Sequence, residues 1–142
     1  EPSGPTIDLP LDALLPEEYI SEESLRLGIY RRMAGLTSLR EIEQITHELE
    51  DRFGPLPQEA ANLLYLLRVK ALATQAEVAT VSTENSTVFI GLGSVGEMKR
   101  RRADGRLPVK ARVADDRLVL RNSLGQEAWR RELEEALSEM AG

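Results

Sequence analysis

The sequence predicts an α+β fold: a helical N-terminal half of three helices, then a small antiparallel sheet of two hairpins and a C-terminal helix. Three observations carry this. Apolar residues recur at helical spacing through residues 21–75, β-branched runs broken by turn residues fill most of 76–121, and the helical period returns over 122–142. An extended arm, residues 1–20, precedes them. The 142 residues read as a single domain, long enough to bury a real core.

In the arm, Ile7, Leu9 and Leu11 alternate with Asp8, Pro10 and Asp12, the period of an extended segment with one buried side. Pro10 lacks a ladder donor, so the arm is an edge strand or strand-like segment, ended by Leu14-Leu15-Pro16. Ser21 reads as the N-cap of the first helix, with Glu22 and Glu23 favourable against the dipole and Leu25, Ile29, Met33 and Leu36 on one stripe. That helix stops around Gly35. Ser38-Leu39-Arg40-Glu41 matches a capping box, opening a second helix with Leu39, Ile42, Ile45, Leu49 and Phe53 on one side. Gly54 and Pro55 stop it, the glycine by taking a left-handed conformation. A third helix from about Gln58 to Gln75 is apolar around more than half its circumference and should be surrounded by protein.

Residues 78–83 and 87–92 then form a hairpin around Glu84-Asn85-Ser86, and 94–102 a short helix. A loop over 103–108 leads to a second hairpin, 109–114 and 117–121, turning at Asp115-Asp116. Whether the two hairpins share one sheet is open. Asn122-Ser123 caps a last helix carrying Trp129, Leu133, Ala136, Leu137 and Met140 on one face.

The composition is that of a globular protein, 42% hydrophobic and 30% charged. No apolar run is long enough to span a membrane, and the first ten residues lack the layout of a signal peptide. The sequence begins without Met and so reads as a processed product or a piece of something longer. Cysteine is absent, which excludes disulfides, thiolate catalysis and zinc–thiolate sites and makes a reducing cytoplasm the default.

No catalytic constellation emerges. Gly91-Leu92-Gly93 with Gly96 mimics a dinucleotide-binding glycine pattern, but a true one needs a βαβ unit around it, and the helix to follow carries four consecutive basic residues. The lone His47 can pair with Asp51 four residues on; an exposed helix residue is the simpler reading. Carboxylates lie on polar helix faces with no metal-ligand spacing. The residues point to no enzyme and no cofactor.

Two charge features remain. Lys99-Arg100-Arg101-Arg102 can meet phosphates, yet no aromatic interleaves with them and the chain carries a net charge of −6. This leaves a nucleic-acid-binding accessory module as the alternative reading, with DNA binding disfavoured. Glu48-Leu49-Glu50-Asp51-Arg52 puts acids near the negative end of the second helix, where Glu48 and Asp51 also repel each other. Arg52, and to a lesser degree His47, are the local offsets. A solvated face explains this blandly; a negative patch for a cationic partner explains it functionally.

The segments TIDLPLDALLPEEYI, SEESLRLGIYRRMAGLTSLREIEQI and ELEDRFGPLPQEAANLL together resemble the C-terminal (TRCF) domain of the bacterial transcription-repair coupling factors, the Mfd family. The likeness is dense from Ile7 to about Ala73; beyond that only the order of elements matches. It implies a regulatory domain of a larger multidomain protein. The parent would be an ATP-dependent DNA translocase with a UvrB-like module, an RNA-polymerase-binding module and translocase lobes. By the resemblance, the domain docks on the UvrB-like module and masks the surface that recruits UvrA. The acidic residues that precede the RFG turn and make this contact fall at Glu48 and Asp51, with Arg52 beside them.

Overall fold

The computed structural model describes residues 4–120 and 128–142. Its elements are β1 (Thr6–Asp8), α1 (Glu23–Ala34), α2 (Leu39–Phe53), α3 (Gln58–Ala76), β2 (Thr80–Glu84), β3 (Thr87–Gly91), α4 (Val95–Ala103), β4 (Ala111–Ala114), β5 (Arg117–Leu120) and α5 (Ala128–Ala141). The α+β order expected from the sequence holds throughout. The expected cap at Asn122-Ser123 lies outside the described residues. The chain forms two compact units, residues 11–71 and residues 1–10 with 72–142.

The unit of residues 11–71 is helical. Ser38 and Glu41 form the expected capping box on α2, which satisfies two N-terminal donors at once. Ile42, Ile45 and Leu49 of α2 are buried with Ile20, Ile29, Met33 and Leu64, and Leu39 and Phe53 pack against the edge of that cluster. The arm is tied down by polar contacts: Leu15 N–H donates to the Tyr30 hydroxyl at 2.7 Å, and buried Asn62 donates to the Asp12 carbonyl at 2.9 Å. The α1 cap differs from expectation. The helix begins two residues after Ser21, and Glu22 at its cap position makes no side-chain cap hydrogen bond. Glu23 still favours the positive end of the dipole. Gly54 closes α2 with φ 93° and ψ −170°. This is not the left-handed helical conformation but an extended positive-φ region open essentially to glycine alone.

The other unit is built on one five-stranded sheet in the order β1-β2-β3-β5-β4. Both expected hairpins form, and β3 pairs with β5 to join them. The sheet is mixed, because the arm adds β1 parallel to β2 at one edge, where Pro10 does no harm just past its end. The β2–β3 turn is two residues, Asn85 and Ser86, both at positive φ, which matches the twist of a hairpin. Val81, Val88, Ile90 and Leu118 are fully buried in this unit, as are Leu133, Leu137 and Met140 from the predicted face of α5.

Of α3, only Gln58, Lys70, Thr74 and Gln75 are exposed, as its all-round apolar surface requires. Its C-terminus is a Schellman turn, with Glu77 N–H bonded to Thr74 O and Val78 N–H to Ala73 O. Glu77 sits there at φ 56°, a place glycine usually takes.

A candidate docking site on helix α2

Glu48 lies on α2 between a buried stripe and solvent. From the last turn of α1, Arg32 reaches it with a two-pronged contact: NH1 donates to Oε2 at 2.7 Å and NH2 to Oε1 at 2.9 Å. Such forks are charge-assisted and geometrically matched, and the exposure of both side chains keeps this one modest in energy. Arg52, one turn on, places NH1 3.6 Å from Oε2 and its guanidinium 5.0 Å from the centre of the Phe53 ring. The hydrogen bonds from Arg32 hold Glu48 below the usual carboxylate range, and the same contact raises Arg32.

The turn that follows is braced from the arm. The Tyr19 hydroxyl lies 3.1 Å from Leu49 O and 2.8 Å from Gly54 O, and its ring meets that of Phe53 at 5.7 Å between centroids. Burial, with the nearby Glu50 charge, raises the Tyr19 hydroxyl. The carboxylates ahead of Gly54 are therefore displayed on a fixed helix end and not on a loose one.

Glu48 is partly exposed, and its charge is matched within the chain, which corrects the reading that only Arg52 and His47 could offset it. It also lies before the final turn of α2, so the dipole cost falls on Glu50 and Asp51 instead. Asp51 is exposed and has no hydrogen-bond or ion-pair partner among the described residues. His47 is exposed too, unpaired with Asp51. Sequence reasoning missed Arg32, sixteen residues from Glu48; the i,i+4 rule cannot reach a partner on another helix.

The basic run is divided by its structure. Ser94 caps α4 by accepting from Glu97 N–H, and the helix then turns Met98 and Arg101 inward. Arg101 is buried, giving NH1 to Ala76 O at 2.7 Å, NH2 to Glu77 O at 2.6 Å and Nε to Glu97 at 2.8 Å. It finishes the C-terminus of α3 and is not available to a phosphate, a correction to its place in the run. Arg100 pairs with Glu97 at 3.0 Å, and Lys99 and Arg102 are exposed. The Arg101 hydrogen bond, with Arg100 nearby, lowers Glu97.

The glycine pattern is structural. β3 is antiparallel to both of its neighbours, so no βαβ unit surrounds Gly91–Gly96. A Cβ on Gly91 would collide with Thr80 Oγ1, its cross-strand partner. Among the described residues no cluster of three or more His, Cys, Asp or Glu could hold a metal, and no helix is long and apolar enough to cross a membrane.

A five-stranded mixed sheet with a parallel N-terminal edge strand, together with the helices described, makes an α+β fold of the kind found in the C-terminal domain of a transcription-repair coupling factor. The crystal structure of such a C-terminal domain superposes with a TM-score of 0.74 at 24% identity, covering 96% of this chain and 90% of that one. The family described as the TRCF domain matches residues 9–102, and the chain belongs to it. Among full-length relatives, the transcription-repair-coupling factor of Rickettsia bellii is 37% identical over 90 residues, 63% of this chain and 8% of that protein. That of Mycobacterium bovis is 40% identical over 86 residues, 61% of this chain and 7% of that protein. The chain thus spans less than a tenth of the length of these relatives.

Proposed function

We propose that this domain is a regulatory module of a transcription-repair coupling factor, working by contact and not by catalysis. It docks through the end of α2 onto the UvrB-like module of the same parent protein, covering the surface that recruits UvrA, and holds the free factor in a repressed state. The observation that supports this best is Asp51, an exposed carboxylate left without a partner among the described residues, beside Glu48 on a braced helix end. A fold does not keep uncompensated charge at the negative end of a helix for stability, since each such acid costs ~0.3–1 kcal/mol. Polar interdomain contacts of this type release easily, so closed and open states differ by a few kcal/mol, and UvrA favours the open state by binding it better. The repair role, RNA polymerase as an indirect partner and a cytoplasmic location follow from the same reading.

The test is UvrA binding by the full-length parent carrying Glu48→Ala and Asp51→Ala. Release of the domain raises UvrA affinity while the fold is kept. Affinity unchanged from the parent protein would end the docking reading.

A further inference from the structure

We propose that Arg32 is an internal competitor for the docking carboxylate, so that the neighbouring module binds by exchanging its own cation for Arg32 at Glu48. This rests on the docking reading above and adds a residue and a mode of control to it. Both Glu48 oxygens are already taken by Arg32, and Arg52 stands 3.6 Å from one of them. One carboxylate thus lies between two guanidinium groups. A cation arriving at Glu48 meets two guanidinium charges already there, and gains the full two-pronged contact only when Arg32 leaves.

Departure is cheap. The Arg32 side chain is 50% exposed and anchored on the last turn of α1, so it swings into water without opening the core. Asp51 differs: nothing within the described residues competes for it. The two acids therefore divide the work. Asp51 attracts the partner at long range, and Glu48 sets the balance between the free and docked states, because docking breaks one forked pair as it makes another. Arg32 determines how tight the closed state is without touching the partner. The opposed shifts of Glu48 downward and Arg32 upward agree with a pair that is well formed in the undocked domain.

The test compares Arg32→Gln, Arg32→Lys and Glu48→Gln in the full-length parent, with UvrA affinity as the readout and urea unfolding as a check on the fold. Removing the competitor tightens docking, so Arg32→Gln lowers UvrA affinity about two- to fivefold, the worth of one exposed ion pair. Arg32→Lys, which keeps the charge but loses the fork, falls between it and the parent. Glu48→Gln acts in the opposite direction. An Arg32→Gln protein that binds UvrA more tightly, as Glu48→Gln does, would show that Arg32 positions Glu48 for docking, and would overturn the exchange. Unchanged affinity for Arg32→Gln overturns it too. If Glu48→Gln and Asp51→Asn both leave UvrA binding unaltered, the docking reading itself falls.

Discussion

Arg101→Leu is the substitution whose outcome the structure fixes most sharply. The side chain is 3% exposed and gives three hydrogen bonds, one to the last carbonyl of α3 (Ala76) and one to that of Glu77 just past it. Leucine replaces much of the aliphatic stem but none of the donors. The Ala76 carbonyl belongs to a fully buried residue and cannot rehydrate freely, at ~1–3 kcal/mol for a buried acceptor left bare. The Glu77 carbonyl belongs to an exposed residue, and Glu97 keeps Arg100, so both adapt more easily. Glu77 also loses the bond that supports its left-handed backbone. Together these come to about 2–4 kcal/mol. At a slope of ~2 kcal/mol/M the urea midpoint of the 142-residue chain falls by about 1–2 M, followed by circular dichroism. Arg100→Leu, one position away and with its side chain 71% exposed, leaves the midpoint where it is. Equal losses from the two substitutions, or none from Arg101→Leu, would refute the assignment of Arg101 to the α3 terminus.

Three other outcomes are expected. Ser38→Ala removes the acceptor for Glu41 N–H and half of the capping box, costing about 1 kcal/mol in urea unfolding. Gly54→Ala forces a Cβ into a positive-φ extended conformation; although the space around it is open, backbone strain costs ~1–3 kcal/mol, measured the same way. The third concerns acid. Arg32 holds Glu48 below its ordinary value of 4.5, so the fork adds stability above that pH and loses it as pH falls through the lower folded value. Glu48→Gln therefore flattens the acid limb of the stability profile and leaves the slope near neutrality unchanged.

Local rules made most of the elements legible. The capping box at Ser38 needs only residues three apart, and the α5 stripe from Trp129 to Met140 is a simple helical period. Both hairpins carry their own turn residues. The pairing of β3 with β5 was not legible, because it joins segments separated by α4 and a loop that hold no mutual signal. Ser21 looked like a better cap than Glu22, yet the chain enters α1 from a turn in which Ile20 is buried and its carbonyl accepts from Arg26, and helix geometry starts later. In the site, the acidic run from Glu48 to Asp51 stood out by charge, its assignment to a contact came from the family resemblance, and the difference between Glu48 and Asp51 was not legible. That difference lies in Arg32, a contact between helices. Arg101 hid within a run of like charges; its spacing of three from Met98 and four from Glu97 is the signal that could have separated it from Arg100.

The central claim is the proposed contact through the end of α2, and titration of this chain with the UvrB-like module of the proposed parent tests it most directly. At low salt the account predicts association that weakens as ionic strength rises, and its loss when Glu48 and Asp51 are both alanine. Association indifferent to salt and to both substitutions would contradict it.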